Sequence, residues 1–379
     1  MFVSAYFQEA AKLFESYDLQ MPLHRFLKQY FSQNPKFGSR DRRCIAELLH
    51  GIYRMGTANQ HLPLNERMVL GAFLAGRLPL PFFEKAASHL AEAWHWGYPE
   101  KLAFLEARYP ITFEVPYEFS HGVDKDQYFR YLFTQPRVFI RVRKNKTRVL
   151  EAVKKANIPY EMMEADCLSF SADTALEKIL SPADYVVQDI SSQHTSEFMK
   201  PKPGESWWDC CAASGGKSIL LLDKEQKIKL TVSDSRESIL QNLRLRFAQG
   251  KLPLPQMHTL DLLKDTTSIF SQAFDGILCD APCSGSGTWA HSPEQFYFFN
   301  QEKLNHFHQT QTQIVKEVSQ HLRHGAKLLY MTCSVFSQEN EEVCRYIQEN
   351  TSLYIEQQQL LNHFRQGGDA MYITVFSKG

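Results

Sequence analysis

The chain has no surplus of either charge: 42 Lys and Arg stand against 42 Asp and Glu. A uniformly basic coat for nucleic acid is excluded, although a local basic face is not. No run of about 18 apolar residues occurs, so no membrane span is expected. The opening MFVSAYFQEAAKLFESYD lacks the basic leader and small-residue cleavage site of a secretory signal. The cysteines Cys44, Cys167, Cys210, Cys211, Cys279, Cys283, Cys333 and Cys344 form no C-x-x-C pair, and no metal is expected. Their pattern suggests a reducing cytoplasm with reactive thiols rather than bridges. Repeats and low-complexity tracts are absent. With 44% hydrophobic and 22% charged residues, disorder and collagen-like order are excluded. The length of 379 residues predicts two or three domains.

Residues 1–120 read as helices. Leu23, Phe26, Leu27, Tyr30 and Phe31 recur at the spacing of one helix face, and Cys44, Leu48 and Ile52 continue it. Ser39 is placed to cap the second of these helices. Arg40, Arg42 and Arg43 beside it suit either a solvated helix start or a phosphate contact. Over 121–185 the pattern changes: 137–142 predicts a strand and Thr147 to Ala156 a helix. Arg137 to Lys155 is the densest basic stretch. Arg137, Arg141 and Arg143 alternate with apolar residues and share one strand face, so they and Lys144 are candidate RNA contacts. A charge-guarded edge strand explains the same pattern. From 186 onward strands and helices alternate, which predicts a parallel sheet covered by helices. The expected strands are Ser206–Asp209, Leu230–Ser233, Gly276–Cys279, Lys327–Met331 and Tyr372–Phe376.

The chemistry concentrates after these strands. Asp209-Cys210-Cys211-Ala212-Ala213-Ser214-Gly215-Gly216-Lys217-Ser218 carries a strand into small residues and a helix start, where backbone amides can approach a ligand. It is not a phosphate loop of the G-x-x-x-x-G-K-[ST] type, because Cys211 stands where that pattern needs glycine. Gly285-Ser286-Gly287-Thr288-Trp289-Ala290 mimics a dinucleotide fingerprint, but no acid follows at the required distance and Pro293 does not suit its helix. Asp234, Asp261 and Asp280 each follow a strand, at the sheet edge where ligands bind, and together suggest a nucleoside cofactor. Cys283 and Cys333 sit on loops just past strand ends, where reacting groups collect.

CAASGGK, DAPCSGSGT and TCSVFSQENEE resemble the cofactor loop and the two cysteine motifs of the RsmB/Nol/Nop/Sun family of RNA cytosine-5 methyltransferases. The segments 188–193 and 367–372 are similar to that family as well, so the resemblance spans about 125 to 379. The first 120 residues resemble, more weakly, the NusB-like helical domain fused to some members. The resemblance implies an α/β protein: a Rossmann-like methyltransferase domain over 186–379, a small α/β RRM-like module over 121–185 and an all-α domain over 1–120. It implies S-adenosylmethionine as methyl donor, cradled by Cys211, Ala212, Ala213, Ser214, Gly215, Gly216 and Lys217. Asp234 would hold the ribose, Asp261 would sit by the adenine, and Asp280 would lie between cofactor and base. Cys333 would be the nucleophile and Cys283 would assist product release.

The activity so implied is methylation of carbon 5 of a cytosine in RNA through a covalent Cys333 adduct. Ribosomal RNA is favoured over transfer RNA by the NusB-like fusion, which is analogy alone. A cytoplasmic monomer is expected. Two other classes remain open: a catalytically idle RNA-binding or ribosome-assembly factor, and a methyltransferase for exocyclic nitrogens, which needs no thiol. Lys217 suits either an electrostatic helper for Cys333 or a salt bridge to Asp280. The chain departs from the family twice. Ser214 replaces the usual proline of the cofactor loop, and Trp289-Ala290-His291-Ser292-Pro293 replaces a basic pair before Asn-Pro. Trp289 suits a base stack or a packed aromatic equally.

Overall fold

The computed structural model describes residues 3–264, 270 and 273–379. The chain divides into two compact units. The first comprises Met1–Pro116, Asp124–Gln135 and Thr288–Asn300 and is helical; the second comprises Tyr117–Val123, Pro136–Gly287 and Gln301–Gly379. Among the described residues no helix is long and apolar enough to cross a membrane.

In the helical unit, apolar spacing places one stripe of each helix in the core. Leu23, Leu27 and Phe31 are the buried face of the helix Leu23–Gln33. Cys44, Leu48 and Ile52 belong to that of Ser39–Met55. Ser39 is not the cap of this helix but its first residue. The Asp41 carboxylate instead accepts the Gly38 N–H at 3.1 Å, closing the first turn from inside the helix. Arg42 and Arg43 donate to the carbonyls of Phe37 and Arg77, which ties both to the helical fold itself.

Two segments join the helical unit from outside residues 1–120, one from 121–185 and one from 186–379. The helix Lys125–Phe133 belongs with the helical unit, where the buried Arg54 donates to the Leu132 carbonyl at 2.8 Å. The segment 288–300 does so too: Glu294 accepts the Leu23 N–H at 3.2 Å, and Trp289 packs against Phe296 and Phe299. The departure from the family pattern at Trp289 therefore sits in a piece of chain recruited to the helical core.

The second unit holds two sheets. The smaller has β1 (Val138–Val142), β2 (Glu161–Met162), β3 (Cys167–Phe170) and β4 (Tyr185–Val187) in the order β2-β3-β1-β4, antiparallel throughout. Ile140 and Val142 pack with Val149 and Val153 of the helix Lys146–Lys155. The larger has β5 (Ser206–Asp209), β6 (Lys229–Asp234), β7 (Gln256–Thr259), β8 (Phe274–Asp280), β9 (Leu322–Thr332), β10 (Leu353–Asn362) and β11 (Ala370–Lys378). Its order is β10-β11-β9-β8-β5-β6-β7. Strands β5 to β9 are parallel, as expected of the Rossmann-like class. The last two run antiparallel, because only the short turn through Phe364–Gln366 joins them, too little chain for a parallel crossover. Alternation along β5 sends Trp207 into the core on one face and Trp208 into the core on the other. Register brings Asp209, Asp234 and Asp280 to one edge, with Asp209 opposite Val232 and Leu278.

Candidate active site

The loop after β5 is shaped by backbone that few residues tolerate. Ala213 (φ 46°) and Gly215 (φ 83°) both lie in the left-handed region. A Cβ at Gly215 would come within 2.8 Å of Leu243, so glycine is required there twice over. The Ala212 N–H donates to the Ser233 carbonyl and the Ala213 N–H to the Asp234 carboxylate, tying the loop to β6. Gly216 opens the helix Gly216–Lys224. Ser214 does not loosen the turn: Arg246 donates to its carbonyl at 3.0 Å and its hydroxyl at 2.8 Å, a brace that proline could only half accept.

Beneath the loop, Asp209 is fully buried and accepts the Ser218 hydroxyl at 2.5 Å. Burial pushes its carboxyl up to about 7, against the lowering effect of that hydrogen bond. Lys217 approaches Asp280 at 3.3 Å and donates to the Ser192 hydroxyl at 2.8 Å. Of the two roles open to Lys217, the salt bridge to Asp280 is the one formed. Asp234 pairs with Arg236 at 3.1 Å, and Asp261 pairs with Lys264, which holds its carboxyl below the usual range.

Asp234, Arg236, Asp261 and Asp280 lie on a cavity of about 430 Å³, within the range of small-molecule sites. Its lining includes Cys211, Ala213, Asp234, Asp261, Asp280 and both loop thiols. Cys283 Sγ and Cys333 Sγ lie 3.3 Å apart, close enough to share a proton. The bond to Cys333, followed by burial, raises the Cys283 thiol well above its ordinary range. Either sulfur can donate in this contact, so the pair can hold one proton between its two atoms. A larger cavity, about 710 Å³, lies within the helical unit and has no thiol in its lining.

The two thiol loops share a clamp that sequence reading passed over. Glu339 is fully buried. One carboxylate oxygen accepts the Ser284 N–H at 2.7 Å and the Gln311 amide at 3.1 Å. The other accepts the hydroxyls of Ser284 and Ser334, each next in sequence to a loop thiol. Burial raises the Glu339 carboxyl despite these donors. Gly287 adds a second tie, donating to the Cys333 carbonyl at 2.8 Å where a Cβ would meet the Ala370 carbonyl at 2.6 Å. The signal for Glu339 lay within TCSVFSQENEE, but only the short 3₁₀ turn Ser337–Glu339 decides which of its acids points inward.

The basic strand is organised differently from a phosphate-tracking surface. The Arg143 side chain is 1% exposed and grips both oxygens of Asp223, at 2.7 and 2.8 Å. Arg141 pairs with the same carboxylate at 2.7 Å and donates to Gln188. Both arginines, expected as RNA contacts, are thus engaged inside the unit by an acid 80 residues beyond Arg143. Arg137 bonds Ser169 and approaches Glu161 at 3.4 Å. Lys144 is exposed. Trp289, 1% exposed, is a packed aromatic rather than a stacking platform.

Residues 196–373 match the family model described as 16S rRNA methyltransferase RsmB/F. The chain is similar to proteins named ribosomal RNA small subunit methyltransferase B from Yersinia pseudotuberculosis and Yersinia pestis, each 27% identical over 201 residues. The match covers 51% of this chain and 47% of those relatives, so the chain spans about half their length. Among solved structures, PH0851 aligns with a TM-score of 0.68 over 93% of both chains at 18% identity. NSun6 from Pyrococcus horikoshii, solved with SFG, aligns with a TM-score of 0.59 at 14% identity over 67% of this chain and 94% of its own. These structural likenesses show a shared fold.

Proposed function

We propose that this chain, whose residues 196–373 match the RsmB/F methyltransferase model, methylates carbon 5 of a cytosine in ribosomal RNA. S-adenosylmethionine is the donor, and when bound it supplies a methyl group on a positively charged sulfur. The residues present suit such a molecule. The loop holding Ala213 and Gly215 lets backbone approach closely, and the acids Asp234 and Asp261 offer acceptors for hydroxyl and amino groups around a cavity of about 430 Å³.

The observation that carries the chemistry is the thiol pair, 3.3 Å apart on the same cavity as those acids. Carbon 5 of cytosine is a weak nucleophile. Addition of the Cys333 thiolate to carbon 6 forms a C–S bond and moves the ring electrons toward carbon 5, which splits one hard step into easier ones. Asp280, held by Lys217, would accept from the amino group of the base as a carboxylate and, on taking up a proton, would donate it to N3, where charge develops after addition. Once carbon 5 is methylated, its proton passes to solvent or to a deprotonated Cys283, the C–H electron pair reforms the C5–C6 double bond, and the C6–S bond breaks, returning Cys333 as thiolate. Cys283, whose sulfur lies 3.3 Å from that of Cys333, would assist this release. The base must leave its stack to reach the thiols.

The RNA is ribosomal on the names of the similar proteins, and Cys283 together with Cys333 favours carbon 5 over an exocyclic nitrogen. The test is Cys333→Ala assayed with labelled donor and ribosomal RNA. Label transfer should vanish while donor affinity stays within about twofold of the parent, since the thiol acts on the base. Retained turnover would remove Cys333 as nucleophile. Label on an exocyclic nitrogen would support the nitrogen-directed reading instead.

A further inference from the structure

Behind the cavity wall, three further cysteines meet. Cys210 and Cys211 begin the loop after β5, and Cys279 lies near the end of the neighbouring β8. Parallel pairing brings them together: the Cys210 N–H donates at 3.0 Å to the carbonyl of Leu278, next to Cys279. Cys210 Sγ lies 4.0 Å from Cys211 Sγ, and the three sulfurs all fall within 4.8 Å of one another. Cys210 and Cys279 are buried, whereas Cys211 is half-buried, and both Cys210 and Cys211 contribute to the cavity lining.

Three thiolates bound to zinc at about 2.3 Å stand about 3.8 Å apart with tetrahedral angles, and about 4.0 Å apart in a plane. The Cys210–Cys211 separation already meets that geometry, and the third sulfur needs to draw in by less than about 1 Å. We propose that Cys210, Cys211 and Cys279 form a three-thiolate site for a soft, closed-shell cation such as Zn²⁺, with one coordination position open to the cavity. Thiolate ligands select such ions over Mg²⁺ or Ca²⁺. Three protein ligands with an open fourth position is the arrangement of accessible zinc rather than closed structural zinc. Cys211 on the cavity wall provides the entry path. Binding forms three metal–sulfur bonds and releases three thiol protons to solvent, with no change of oxidation state. The spacing of 210, 211 and 279 matches no linear motif, which is why the site is invisible until β5 and β8 pair.

The inference does not rest on methyl transfer, and its test does not use it. Because Cys283 and Cys333 can also take zinc, the full chain carrying Cys283→Ala and Cys333→Ala is titrated with Zn²⁺ against a chromophoric chelator. One ion per chain is expected, and adding the packing-conservative Cys279→Val should weaken binding at least about 100-fold. Affinity unchanged by Cys279→Val overturns the site. Should that variant fail to fold, the unsubstituted chain decides by alkylation and peptide mapping with and without Zn²⁺. Zinc-dependent protection of Cys211, the half-buried thiol of the three, supports the proposal, and its absence overturns it.

Discussion

Glu339 tests whether the two thiols work as one preorganised pair. Its carboxylate receives four hydrogen bonds from Ser284, Ser334 and Gln311. Glu339→Ala leaves those donors without their acceptor in a buried place. Such losses cost about 3–5 kcal/mol and are not additive bond by bond. In a unit of this size that corresponds to a fall of roughly 6–20 °C in Tm. The loops carrying Cys283 and Cys333 also lose their shared anchor, and a displacement of about 1 Å at reacting groups costs about 100-fold in rate. Glu339→Gln behaves differently. Its amide oxygen still accepts from the Ser284 N–H and Gln311, while the two serine hydroxyls rotate to accept from its NH₂. That variant should stay within about 1.5 kcal/mol of the parent. The assay is single-turnover methyl transfer at saturating donor and RNA, beside calorimetric Tm and donor Kd. Loss of rate in Glu339→Ala, recovery in Glu339→Gln and an unmoved donor Kd are expected. A Glu339→Ala chain with parental Tm and rate would refute the clamp.

Asp209 sets a pH dependence of stability. Its folded pKa of about 7 exceeds the ordinary 3.8, so the folded state binds the proton more tightly. The contribution is complete below about pH 4 and is lost as pH rises to 7, up to about 4 kcal/mol in all. Asp209→Asn, which cannot ionise, should gain on the parent over that window in urea unfolding, and parallel curves would exclude the assignment. Arg143→Ala should destabilise by about 3–5 kcal/mol, because it leaves the largely buried Asp223 with only Arg141. Lys144→Glu should leave Tm unchanged and reduce the salt slope of RNA binding by about 1, whereas an unchanged slope would take Lys144 out of the interface.

Local pattern carried much of the larger sheet. The first strand of the cofactor loop was read to its ends, Ser206–Asp209, because a dense apolar run stops at an acid and small residues. The acids and thiols of the cavity were legible for the same reason: each follows a strand, and parallel register alone brings strand ends to one edge. What escaped depends on distant partners. Arg141 and Arg143 look like a basic face until Asp223 arrives from another helix. Segments 125–133 and 288–300 look like parts of their sequence neighbours until Arg54 and Leu23 bind them to the helical unit. Ser39 looked like a cap because serine favours that place, but Gly38 with Asp41 closes the turn one residue earlier.

The most direct measurement traps the covalent step. A Cys283→Ala chain, incubated with ribosomal RNA and S-adenosylmethionine, is run on a denaturing gel, and the retarded band is digested for peptide mapping. A protein–RNA adduct carried by the peptide containing Cys333 is the predicted result. A gel without such a band, or an adduct mapped to any other residue, would contradict a bond between this sulfur and the base.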